Sequence, residues 1–138
     1  MGDRSNVFFK NGAHGVGVYG HWAGLAMADA AMAVLTNKAF KARLGDPNYA
    51  TRIGVQTIAA PAAEQATVLE KLGASAKEET GYGIWTSALG PDDNEYKYIV
   101  IDVETGDLFV TSSWKKPTAK DKIAKPTAKA IAKAMGGG

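Results

Sequence analysis

His21, in the run Tyr19-Gly20-His21-Trp22, is the side chain best suited to moving a proton near neutral pH. Asp3 and Glu79 are the carboxylates whose surroundings suit them to orient such a base. Asp3 lies in Gly2-Asp3-Arg4-Ser5-Asn6, and Glu79 opens Glu79-Thr80-Gly81-Tyr82-Gly83-Ile84-Trp85-Thr86. A hydrolase or transferase would use His21 as base, with Asp3 or Glu79 behind it. A binding site would use the same motifs differently. Arg4 would meet an anionic group through its planar fork, Trp22 or Tyr82 would stack, and Asp3, Asn6, His21, Glu79 and Thr80 would hydrogen-bond. The remaining histidine, His14, falls in turn sequence and reads as solvated.

Several chemistries lack their signatures. Ser5, Ser87, Ser112 and Ser113 have no G-x-S-x-G elbow around them. The chain has no cysteine and two histidines, without H-E-x-x-H spacing, so no metal site is expected. Asp92-Asp93-Asn94-Glu95 is rich in oxygen but lacks the alternating ligands and glycine of a calcium loop, and reads as a solvated acidic turn. Gly81-Tyr82-Gly83 is neither a P-loop nor a dinucleotide fingerprint. Glycines flanking a strand tyrosine mark a bulge or a close approach. No cofactor is expected. Arg4 has a structural alternative, an ion pair with Glu79 that closes the first strand onto the third.

The elements that must position these residues follow from periodicity. Val7-Phe8-Phe9 and Val16-Gly17-Val18-Tyr19 flank Asn11-Gly12-Ala13-His14-Gly15, which predicts a β-hairpin over 5–22. Leu25, Ala28, Met32, Leu35 and Ala39 predict a helix over 23–44, ended by Gly45. Asp46-Pro47 starts a second helix to about Ala59, weakened by Gly54, Val55 and Thr57. Pro61 starts a third, ending at Gly73. Tyr82–Ser87, Tyr96–Val103 and Leu108–Trp114 read as strands, the last two joined by Glu104-Thr105-Gly106-Asp107. The order predicts an α+β fold: a mostly antiparallel sheet of about five strands, with two or three helices inserted after the first hairpin.

The net charge of +2 conceals an asymmetry: residues 1–114 carry −4 and residues 115–138 carry +6. This predicts an α+β domain over 1–114 and a Lys/Ala-rich basic C-terminal tail over 115–138. Lys116-Pro-Thr-Ala-Lys120 recurs as Lys125-Pro-Thr-Ala-Lys129, and Lys125, Lys129 and Lys133 fall on one helical face. Lys116, Lys120, Lys125, Lys129 and Lys133 are the residues for salt-sensitive, sequence-blind contact with nucleic acid; the alternative is a solubilising tail. With neither a bilayer-length apolar run nor a signal-peptide pattern, the expected location is the cytoplasm, with no membrane partner.

The three motifs together, Gly-Asp-Arg-Ser-Asn, Tyr-x-His-Trp-x-Gly over Tyr19–Gly24 and Glu-Thr-Gly-Tyr-Gly-Ile over Glu79–Ile84, resemble a family of short uncharacterised proteins from bacteriophages and bacterial genomes. The resemblance covers roughly residues 2–104. It implies a phage or mobile-element setting, hence a host-cell cytoplasm, and no particular reaction. The expected function is a non-catalytic binding module for a small polar or anionic ligand or a host partner protein. The alternatives are the His21 enzyme and a structural protein of a virion or other assembly, whose copies would associate into a homo-oligomer.

Overall fold

The computed structural model describes residues 2–71 and 81–136, excepting the side chains of 62–71. The fold is α+β. Strands β1 (Ser5–Asn11), β2 (His14–Gly20), β3 (Tyr82–Thr86), β4 (Tyr98–Asp102) and β5 (Leu108–Thr111) form one sheet in the order β3-β2-β1-β4-β5. The sheet is mostly antiparallel, with β1 and β4 parallel at its centre. The first hairpin turns on Gly12-Ala13, because Asn11 pairs with His14; Gly12 takes the positive φ of 61° that this tight turn requires.

Alternation along the strands divides the sheet into two faces. Val7 and Phe9 of β1, Val18 of β2, Ile99 and Ile101 of β4, and Leu108 and Val110 of β5 point towards the helices. Phe8, Trp85 and Val100 point the other way, joined by Tyr19, Phe109 and Trp114. The inner strand β4 is therefore buried on both sides, as its uninterrupted apolar run requires.

Helix α1 (Met27–Thr36) follows a 3-10 turn at Gly24–Ala26 and buries Met27, Ala28, Ala31 and Val34. The expected continuous helix over 23–44 is instead broken at Asn37. Its backbone is extended, and its side-chain oxygen accepts from the N–H groups of Ala39 and Phe40, capping α2 (Lys38–Ala42). Breaking the helix lets Phe40 reach the core beside Phe9. The opposite correction applies downstream. Helix α3 runs without interruption over Pro47–Lys71, with Pro61 inside it. Burial of Ala50, Ile53 and Ile58 outweighs the weak local propensities. Gly54 is part of that burial: a β-carbon there would lie 2.3 Å from the Phe9 ring, so the glycine sets how closely α3 approaches the sheet.

Residues of the 115–136 segment pack against the rest of the fold. Helix α4 (Ala128–Met135) packs on α1, β4 and β5 and buries Ile131 and Met135 in the main core. The N–H of Lys97 donates to the Met135 carbonyl at 2.8 Å, and Ile123 N–H donates to Leu108 O at 2.9 Å. The tail's repeat is a pair of helix starts. Thr118 forms a capping box with Asp121, and the Thr127 hydroxyl accepts from Ala130 N–H at 3.1 Å. In the sequence Ala128, Ile131, Ala132 and Met135 fall on a helical face apart from Lys125, Lys129 and Lys133, and the structure buries Ile131 and Met135 of that face. Among the described residues no helix is long and apolar enough to cross a membrane.

Candidate functional site

The N-terminal and Tyr-x-His-Trp motifs meet through their main chains beyond the ends of the strands. Asp3 N–H donates to His21 O at 2.7 Å, Gly24 N–H donates to Asp3 O at 2.7 Å, and His21 N–H donates to Gly81 O at 2.7 Å. Gly20 pairs with Tyr82 one step further in. One backbone row thus joins Asp3, His21 and Gly81, parts of all three motifs. Glu79 and Thr80 lie outside the described residues, so the expected Arg4–Glu79 pair does too.

The side chains are largely committed to one another. Asp3 accepts from the Tyr96 hydroxyl, and its other carboxylate oxygen lies against Gly24, whose φ of 51° and missing side chain make the room. Arg4 Nη1 meets Asp93 Oδ2 at 2.7 Å and Glu95 Oε1 at 3.7 Å, with 28% of the Arg4 side chain and 53% of Asp93 exposed. Such a pair contributes at most about 1 kcal/mol. Asn6 is fully buried. Its amide nitrogen donates to Asp93 O at 2.8 Å and Asn94 Oδ1 at 3.1 Å, and its oxygen accepts from Trp85 Nε1 at 2.9 Å. Asn94 in turn donates to Tyr96 O.

The sequence pattern gives Asp93, Asn94 and Glu95 as a solvated turn and Tyr96 as the start of a strand, with no sign that the turn is a partner of the N-terminal motif. About ninety residues separate the turn from the N-terminal strand, and no local periodicity spans that distance. The usable signal was compositional: an acceptor-rich turn and an N-terminal strand whose donors, Arg4 and Asn6, lacked partners nearby in sequence.

The Asp3 carboxylate raises the Tyr96 pKa, first by accepting the phenol's hydrogen bond, then through partial desolvation and the charges of Asp3 and Glu95. Unfolded tyrosine ionises near pH 10, about the usual value. Above that pH the unfolded chain holds fewer protons than the folded one, so this contribution falls as pH rises towards the folded value. Tyr96→Phe is therefore expected to lower the melting temperature at neutral pH, and the gap from the unsubstituted protein is expected to close above pH ~10. Paired melts at the two pH values check this; a constant gap would refute it.

His21 shares a 2.7 Å hydrogen bond between Nδ1 and the Tyr19 hydroxyl, and its ring backs onto Gly2. Asp3 does not orient it, so the described residues do not assemble the base–carboxylate pair of the enzyme reading. Ser5, at the start of β1, is buried, and its hydroxyl has no hydrogen-bond partner among the described residues. Asp3, Asp93 and Glu95 face solvent, and so do two aromatic residues of the motifs. Trp22, edge-on to His21 with ring centroids 4.6 Å apart, is 67% exposed, and Tyr82 is 40% exposed. Lys116, Lys120, Lys125, Lys129 and Lys133 are all exposed. No family model, curated protein or solved structure matches the chain.

Proposed function

We propose that the protein is a non-catalytic binding module that takes a segment of a partner protein along the edge of β3. The observation that carries this reading is the character of that edge. Ser87 N–H donates to Gly15 O at 3.1 Å, and His21 N–H to Gly81 O at 2.7 Å. Antiparallel alternation between these two points turns the N–H and C=O groups of Gly83 and Trp85 towards β2 and those of Tyr82, Ile84 and Thr86 outwards.

Among the described residues no strand pairs with this edge. Tyr82–Thr86 contains no charge and no proline, and Ile84 is 62% exposed. The opposite edge, β5, is covered by the bridge between Phe109 and Lys122. An added strand would gain main-chain hydrogen bonds and place its side chains beside Ile84, Tyr82 and Trp22. Asp3, Arg4 and Asn6 then serve as the frame that holds Tyr82 and Trp22 in place. Their engagement with one another favours a protein partner over a small polar ligand. The motif resemblance supports a phage or mobile-element setting in which that partner belongs to the host cytoplasm.

A photo-crosslinking amino acid placed at Ile84, with Thr105 in the exposed β4–β5 turn as control, tests this in producing cells. The expected result is a discrete heterologous adduct from position 84 and none from 105. Equal labelling at both positions overturns the reading. An adduct between two copies of this chain replaces it with the assembly reading.

A further inference from the structure

The folded C-terminal segment creates a cleft that neither the sequence motifs nor the β3 edge accounts for. It is about 700 Å³ in volume and lies between Lys97, the segment after β5, and one side of α4. Its floor is apolar, with Ile123, Ala130 and Ala134, and its rim carries Lys97, Lys122 and Lys133. Lys122 Nζ is 3.3 Å from Asp107 Oδ1. Lys97 and Lys133 make no ion pair among the described residues. The nearby Asp121 carboxylate accepts from Thr118 N–H at 2.9 Å and also feels the Lys97 charge.

We infer that this cleft binds a small anionic amphiphile, with an aliphatic or aromatic body on the alanine floor and one carboxylate, sulfate or phosphate at the lysine rim. Charge selects the sign of the ligand: the segment from 115 to 138 carries +6, and two of its seven lysines, Lys122 and Lys133, line the cleft together with Lys97. The rim lysines also contribute apolar walls, since their methylene stems lie along the surface while the ammonium groups stay in water. The volume falls in the range of small-molecule sites, about 300–1,000 Å³. A polyanion would need only the charge; the apolar floor is what favours an amphiphile.

The probes are decyl sulfate and decanoate, titrated into the full chain below their micelle concentrations. Calorimetry and backbone amide NMR shifts provide the readouts. The expected result is saturable binding with shifts centred on Ala130 and Ala134. Each methylene added between octyl and decyl chains should tighten binding about three- to four-fold. The doubly reversed rim, Lys97→Glu with Lys133→Glu, changes two exposed side chains and is expected to weaken binding at least tenfold with an unchanged melting temperature. Ala134→Trp fills the floor and is expected to abolish binding. Three results overturn the inference: equal affinity for decyltrimethylammonium, no shifts at Ala130 and Ala134 up to the solubility limit, or duplex DNA or anionic vesicles binding more tightly and independently of Ala134→Trp.

Discussion

Asn6→Ala is expected to destabilise the protein by about 2–4 kcal/mol, because it strands a buried donor as well as removing hydrogen bonds. Asn6 is wholly buried, and both ends of its amide are occupied. Alanine leaves the Trp85 indole N–H, inside the aromatic layer, without its acceptor. It also frees the Asp93 carbonyl, and with it the loop that holds Arg4 and, through Tyr96, Asp3. The melting temperature should fall on the order of 10 °C for a chain of this size. Trp85→Phe removes the same N–H without leaving it stranded. In a double-mutant cycle Asn6→Ala and Trp85→Phe should therefore couple by about 1 kcal/mol or more. A loss below about 1 kcal/mol for Asn6→Ala, with additive behaviour, would show that water replaces the side chain and that Asn6 is not the joint between sheet and loop.

What the sequence disclosed was whatever its short-range patterns encode. The α+β order, the hairpin around Gly12 and the strands after Tyr82 follow from alternation and turn chemistry within windows of a few residues. Three features needed longer range. The helix break at Asn37 is a cap whose purpose is to aim Phe40 at Phe9, a contact invisible in helical periodicity. The helix over Gly54, Val55 and Thr57 is supported by burial of Ala50, Ile53 and Ile58 beneath a sheet assembled from distant strands. Among the described residues, the partner of the Gly-Asp-Arg-Ser-Asn motif is the acidic turn at Asp93–Tyr96, far away in the sequence. Charge asymmetry is likewise a short-range signal. It describes the exposed lysines of α4 truthfully, yet a helix with one charged face still buries Ile131 and Met135 on the other. A chain cut at Trp114 therefore loses part of its core as well as its positive charge.

The glycines show the same limit most sharply, and they supply the second large effect. The sequence directs attention to Gly81 and Gly83 around Tyr82, yet the close approach occurs at Gly17. A β-carbon at Gly17 would lie 1.9 Å from Cε2 of Trp85, whereas one at Gly83 meets only Tyr19 Cδ2 at 3.8 Å. Neither glycine has a positive φ, so backbone strain does not separate them. Trp85 has nowhere to retreat. It is stacked on Phe8 with centroids 5.1 Å apart, edge-on to Trp114 at 4.9 Å, and tethered to Asn6 through Nε1 at 2.9 Å. Alanine in a strand normally gains about 0.5–1 kcal/mol over glycine through lower unfolded-state entropy. At Gly17 the overpacking cost, about 1–3 kcal/mol or more, exceeds that gain. Gly17→Ala is thus expected to be destabilising and Gly83→Ala near neutral, with melting temperatures separated by several degrees. Gly17→Ala should also push Trp85, and β3 with it, away from β2, so the Gly83 and Trp85 amides that face β2 should exchange hydrogen faster than in the parent. If the two variants melt within a degree of each other and exchange alike, the indole has room to move. The aromatic layer would then not be what fixes the position of the β3 edge.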